Sequence, residues 1–264
     1  MKHVTNRLPE LAASVRRCIM EQASTDDCTI IHNRGGGRGM LLRLHLRDAP
    51  DVIVKAWALR NLRERIKCWL GISNGAREWK MHCRVQQLGL RVPQPVAYSQ
   101  VVIPSGRYEI MVVEDLGETT KALQYLKRCL ARKDDAEIAR LEESVIEMAH
   151  LLVRAGVVDV DHQLNNIVLD ASNEIVRIDL ECARRCRPGR VPTEAYSTMI
   201  ARLICTHAYA CQPDLHLTEA FARTLSDRLQ PPAAVLELAE AIINRNLKKQ
   251  HRRKGIDSRL SLAW

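Results

Sequence analysis

The hydrophobic pattern of this 264-residue chain changes period once, near residue 116, and that change restricts the fold more than any other feature. Before it, short apolar runs alternate with turns: CTIIHN from Cys28, a glycine cluster, MLLRLHLR from Met40, and DVIVKAW from Asp51 after Asp48-Ala49-Pro50. Runs of β-branched and other apolar residues bounded by Gly and Pro predict three strands of an antiparallel sheet. Two helical segments follow, over residues 58–70 and about 75–88. Pro93 and Pro95 mark a loop, and VAYSQVVI and RYEIMVV read as two further strands. After Glu114-Asp115-Leu116-Gly117 the apolar residues recur at helical spacing, most clearly over residues 136–154, then over about 193–210, 218–229 and 232–247. One hairpin-like stretch, NIVLDASNEIVRID, interrupts them. The expectation is an α+β fold with a β-rich first lobe over residues 1–115, a helical second lobe over 116–264, and a cleft between them.

Chemistry concentrates at the hairpin. The stretch AGVVDVDHQLNNIVLDASNEIVRIDLECAR, residues 155–184, places Asp161 five residues before Asn166 and eighteen before Asp179. On one tight loop, an Asp can accept a hydroxyl proton while an Asn five residues on holds a metal, a spacing similar to that of a kinase catalytic loop. The hairpin returns the chain so that Asp179 can face Asn166, and Mg²⁺ prefers hard oxygen ligands of this kind. Most Asp residues are turn or strand-end acids, and a lone D-x4-N is a weak signal. The joint spacing outweighs that reading, and so do the residues upstream. Lys55 lies in the third strand, where it would pair with nucleotide phosphates, and Glu78 lies twenty-three residues later on a helix, as its partner. Gly35, Gly36, Gly37 and Gly39 sit between two strands, where a missing Cβ would let backbone amides approach the phosphates of ATP. Alone, that cluster reads as a flexible turn. Glu114 and Leu116, where the lobes join, are by position the expected hinge whose backbone would bond adenine.

These residues resemble the lipopolysaccharide core kinase family, whose members phosphorylate Kdo or heptose sugars on a protein-kinase-like fold. The carrying features are VIVKAW with Lys55, AREWKMHCRVQQLGLRVPQPVAY from Ala76, MVVEDLG, DVDHQLNNIVLD, and IDLECAR around Asp179. The resemblance covers roughly residues 29–184. It implies transfer of the ATP γ-phosphoryl group to a sugar hydroxyl, with Lys55 positioning phosphates and Glu78 orienting Lys55. Asn166 and Asp179 would hold Mg²⁺, and Asp161 would orient and deprotonate the acceptor. The sequence departs from the pattern twice: Asp159 and Val160 stand where His and Arg usually precede the catalytic Asp, and Leu180-Glu181 replace Phe-Gly. Without that Arg, control by a phosphorylated activation loop is not expected. The missing His leaves open what makes the loop rigid. The alternatives are an atypical Ser/Thr protein kinase or small-molecule phosphotransferase, and a pseudokinase scaffold, against which the retention of Lys55, Asp161, Asn166 and Asp179 together argues.

Composition bears on partners. With 46% hydrophobic residues the chain can bury a core without disulfides, and its nine scattered cysteines suit reduced thiols in a cytoplasmic setting. No run approaches the roughly 20 apolar residues of a membrane span. The net charge of +9 favours an anionic glycolipid acceptor over a cationic one, and nucleic acid is not expected, because no recognition motif accompanies the charge. WALRNLRERIKCWL, from Trp57, carries Leu59, Leu62, Ile66 and Trp69 or Leu70 at helical spacing among Arg60, Arg63, Arg65 and Lys67. For one short helix, packing of that stripe on the first lobe is the ordinary fate. Together with Arg245, Lys248, Lys249, Arg252, Arg253 and Lys254 it also raises an expectation of peripheral contact with the cytoplasmic face of an inner membrane.

Overall fold

The computed structural model describes residues 8–21, 24–33, 39–46, 49–104, 106–187, 191–254, 260, 262 and 264. The chain forms two compact units, Met1–Gln87 with Val92–Gly117 and Leu88–Arg91 with Glu118–Trp264.

The first unit is built on five antiparallel strands, β1 (Cys28–Asn33), β2 (Gly39–Leu44), β3 (Val52–Ala58), β4 (Pro95–Ile103) and β5 (Gly106–Glu114), in the order β1-β2-β3-β5-β4. Alternation along β3 turns Val52, Val54 and Ala56 to one face and Ile53, Lys55 and Trp57 to the other. The first face packs on helix α1 (Leu8–Glu21), which had no assignment in the sequence reading. Its Val15, Cys18 and Ile19, spaced i, i+3, i+4, join Leu42, Leu44, Ile110 and Val112 in one buried cluster. The same register therefore leaves Lys55 on the face away from that core.

Helix α2 (Leu62–Trp69) starts later than expected. Residues up to Ala58 remain in β3, where Ala58 pairs with Tyr108, and Asn61 Oδ1 caps the helix by accepting from the Glu64 N–H at 2.9 Å. The anticipated packing of its apolar stripe does not occur: Leu59 is buried, but Leu62, Ile66, Trp69 and Leu70 are exposed. Helix α3 (Asn74–Gln87) contacts β3, β4 and β5 and buries Ala76, Met81 and Val85. A Cβ on Gly75 would lie 2.6 Å from Glu109 Cδ, so glycine is what brings the start of this helix onto β5. The buried Glu109 carboxylate accepts from the hydroxyls of Ser73 and Tyr98, which ties the same helix start to β4 and β5.

In the second unit, α4 (Ala122–Arg132) and α5 (Asp135–Arg154) precede β7 (Val157–Asp159), a 3-10 turn (Leu164–Asn166), β8 (Ile167–Leu169), β9 (Ile175–Arg177) and β10 (Ala183–Arg185). Strand β6 (Thr120–Lys121) pairs with β8, β8 with β9, and β7 with β10. Helices α6 (Thr193–Cys211), α7 (His216–Leu229) and α8 (Ala233–Lys254) complete it, around a core including Leu126, Ile146, Leu152, Met199, Ile204 and Phe221. Residues 88–91 belong to this unit. The Arg91 carbonyl accepts from the Arg177 N–H at 2.9 Å, and Arg91 Nη2 pairs with Asp170 at 2.6 Å. None of the described helices is long and apolar enough to cross a membrane.

Candidate active site

The residues singled out in the sequence fall into two groups, one in each unit. In the first, Lys55 stands opposite Leu41 and Met111 in the middle of the sheet, so its strand is held on both sides. Its Nζ lies 2.5 Å from Oε1 of Glu78, which α3 holds fully buried. Burial by itself would raise the Glu78 carboxyl. The Lys55 ammonium and the imidazole of His82, with Nε2 at 3.6 Å one turn along α3, outweigh it and hold the carboxyl at about 2. Glu78 is thus ionised at neutral pH. Lys55 keeps part of its side chain exposed, so a fixed ammonium remains within reach of an anion.

The expected nucleotide-contacting residues lie in the same unit. Gly39 starts β2 paired with Trp57, and a Cβ there would sit 3.2 Å from the Ala56 carbonyl, so a side chain at this position would crowd β3. Gly35, Gly36 and Gly37 lie outside the described residues. Glu114 ends β5 with its N–H donated to the Gln94 carbonyl at 2.9 Å and its carboxylate accepting from the Gln94 N–H at 3.1 Å. Leu116 is half-buried in the irregular segment just before the second unit. Between them, the Asp115 carboxylate forms an ion pair with Arg43, Nε to Oδ2 at 2.6 Å, and accepts from Arg43 Nη2 at 3.4 Å and from the Gly117 N–H at 3.0 Å, which fixes the turn.

In the second group, Asp161 follows β7 and Asn166 closes the 3-10 turn. Asn166 Nδ2 donates to Oδ2 of Asp161 at 2.8 Å and to its backbone carbonyl at 3.0 Å, while Gln163 Nε2 donates to Oδ1 at 3.0 Å. Both oxygens of the Asp161 carboxylate are therefore oriented. Spending its amide nitrogen on Asp161 leaves Asn166 its carbonyl oxygen, the hard donor that a divalent cation takes. The hairpin brings Asp179 back toward this loop, because the Ile178 N–H donates to the Asn166 carbonyl at 2.9 Å. Asp179 itself has φ +60°, a left-handed conformation that Asp tolerates better than most residues.

Two residues outside the expected set hold this loop together. Asp159 and Arg177, on β7 and β9, form an ion pair that is fully buried. The Arg177 guanidinium also donates to the carbonyls of Ile178 and Asn166, the latter at 2.5 Å, and to that of Asp161 at 3.3 Å. One side chain thus bonds the backbone at both the Asp and the Asn of the loop and the residue before Asp179. Set against the family pattern, Asp159 stands out only as a missing His. The available signal was a pair of opposite charges, each inside a short apolar strand, in VVDV and IVRI. Beside them His162 is buried with neither ring nitrogen hydrogen-bonded; burial first, and the Arg177 charge second, push its imidazole down to about 3, so it is neutral.

The family described as "Lipopolysaccharide kinase (Kdo/WaaP) family" matches residues 50–208. Among solved structures the chain is similar to "WaaP in complex with acyl carrier protein", with a TM-score of 0.57 and 21% identity over 87% of this chain and 91% of that one. It is also similar to "ROP18 kinase domain in complex with AMP-PNP and sucrose", with a TM-score of 0.48 and 14% identity over 94% of each chain. No curated protein matches the sequence. The likeness to WaaP shows the fold, which is the α+β, protein-kinase-like one the sequence led us to expect.

Proposed function

On the premise that the chain belongs to the lipopolysaccharide kinase (Kdo/WaaP) family and is a kinase of a core sugar, we propose that it uses ATP and Mg²⁺ at the residues described above. Lys55, fixed by Glu78, meets the nucleotide phosphates. Asn166 through its side-chain carbonyl and Asp179 through its carboxylate offer hard oxygen ligands that fit Mg²⁺ and would hold it, and the ion would offset the charge of the phosphates. Glu114 is assigned to adenine through its carbonyl, since its N–H is engaged by Gln94, and Leu116 through its N–H. Gly35, Gly36, Gly37 and Gly39 are assigned to the loop over the phosphates.

Asp161 orients the acceptor hydroxyl and takes its proton. The hydroxyl oxygen forms a bond to the γ-phosphorus while the bond to the β-phosphate oxygen breaks, giving ADP and a phosphorylated sugar. Because such a transition state is loose, the protein contributes mainly position and charge. The observation that carries this reading is the Asp161 carboxylate held on both oxygens, by Asn166 and Gln163, in a loop whose last residue, Asn166, accepts from the N–H of Ile178, the residue before Asp179. The acceptor is an anionic glycolipid of the inner core, reached from the cytoplasmic face of its membrane, and the charge of +9 supports that choice.

The test is transfer from labelled ATP to purified core glycolipid, intact and delipidated. Wild-type protein should label both, and Asp161→Asn should lower kcat by about 10²–10⁴ while nucleotide affinity persists. Full turnover by the Asp161 variant would remove the assignment. Core glycolipid from cells lacking the protein should be short of one phosphate by mass spectrometry.

A further inference from the structure

Helix α2, between the strand of Lys55 and the helix of Glu78, exposes Leu62 at 71%, Ile66 at 46% and Trp69 at 81%, and Leu70 and Ile72 at 53% each continue the surface. At about 100° per residue, Leu62, Ile66 and Trp69 fall within an arc of roughly 60°. Cys68, the helix's buried residue, lies on the opposite side, so the apolar stripe is turned outward. Arg65 flanks one edge of the stripe and Arg63 the other, with Lys67 beyond Arg63 and Arg60 just before the helix; all four are exposed. The only acid in the helix, Glu64, is on the far side, where its carboxylate accepts from the Arg60 N–H at 2.7 Å.

We propose that α2 is a membrane-docking helix that lies in the headgroup region of an anionic bilayer and sets the protein on the surface carrying its acceptor. This rests on the glycolipid-kinase reading for the acceptor, not for the docking itself. The apolar arc is sized for shallow insertion: an eight-residue helix is about 12 Å long and lies in the plane rather than spanning. The arginines on both edges can keep their stems against the acyl boundary while their heads reach phosphates. Trp69 has the amphipathic ring favoured at that depth. Three side chains of one short helix and two just beyond it fall well below the roughly 800 Å² per partner of a stable protein interface, so a second copy of the chain is a poorer fit.

The test uses full-length protein and vesicles of phosphatidylcholine alone or with phosphatidylglycerol, at about 0.1 M and about 1 M salt, where the screening length falls from roughly 10 Å to 3 Å. Wild type should sediment with the anionic vesicles at low salt and be released at high salt. The double variant Leu62→Glu/Trp69→Glu, and separately Arg63→Gln/Lys67→Gln, should each lower vesicle affinity by at least about tenfold. Labelling of a delipidated acceptor should be unchanged in both, whereas Asp161→Asn should bind vesicles normally and fail to label, so failure of docking and failure of the kinase reading separate cleanly. Equal binding by wild type and both variants would overturn the proposal. So would negligible vesicle binding by a wild-type dimer that the stripe variants convert to monomer.

Discussion

Removing the Arg177 guanidinium should damage both stability and turnover, and the two losses should be separable. Arg177 is wholly buried and is bonded to the Asp159 carboxylate and to three backbone carbonyls. Arg177→Met leaves the Asp159 charge buried without a partner, which costs about 3–5 kcal/mol. That is a large share of the roughly 5–15 kcal/mol that a folded protein has in total. At about 2–4 °C per kcal/mol for a chain of this size, the melting temperature should drop by roughly 6–20 °C. Asp159→Leu combined with Arg177→Met removes both charges and should recover most of the lost stability, because a buried ion pair contributes little net relative to apolar residues of similar volume. The double variant should not recover turnover. The carbonyls of Asp161 and Asn166 lose their common donor, and displacement of a reacting group by about 1 Å costs on the order of 10²-fold in rate. Arg177→Lys should fail likewise, since one ammonium cannot reproduce a planar fork. Urea unfolding and steady-state kinetics on the same preparations decide it. Single variants that melt within about 2 °C of wild type, or a stable double variant with undiminished kcat, would refute the argument.

Three further outcomes are expected. Asp179→Asn should weaken magnesium-dependent nucleotide binding in calorimetry, in contrast to Asp161→Asn, which should leave it largely intact. The Glu78 carboxyl drops from an ordinary 4.5 to about 2, so its stabilising contribution, on the order of 3 kcal/mol, is complete above pH 4.5 and is lost as pH falls toward 2. In Lys55→Met only the raising effect of burial and the weaker His82 contact remain, so the variant's deficit by urea titration should be large at pH 7 and shrink in acid; a deficit independent of pH would contradict the ion pair. His162 drops from 6.5 to about 3, so the unfolded chain binds a proton that the native one refuses, and stability should fall by about 1.4 kcal/mol per pH unit below 6.5. His162→Leu should flatten that slope, and a wild-type slope unchanged by the substitution would exclude His162 as its source.

What could be read from the chain depended on whether the signal was periodic. The alternation in VIVKAW places Lys55 opposite the apolar set of its strand, and the structure has it away from the α1 core, where Glu78 can reach it. The Asp161–Asn166 spacing likewise survives as two hydrogen bonds, because a five-residue loop leaves the amide few other partners. Tertiary context decided the rest. Residues 8–21 carry an ordinary amphipathic pattern, but nothing in it says which face of which sheet it covers. The stripe of α2 is indistinguishable by period from one that packs inward; only the burial of Cys68 and the exposure of Trp69 reveal its direction. The loop's rigidity was the least legible feature. A family pattern draws attention to the His and Arg that are missing before Asp161, whereas Asp159 and Arg177 supply the restraint from positions eighteen residues apart. That substitution is physically coherent. A His in this place donates one or two hydrogen bonds, whereas a buried guanidinium offers five donors and, once its charge is met by Asp159, can bond three loop carbonyls together. A loop bound in that way needs no phosphorylated segment to organise it. It follows that the protein made in a host without protein kinases should be fully active and indifferent to phosphatase, and a large loss of activity after phosphatase treatment would show that Val160 has been read too simply.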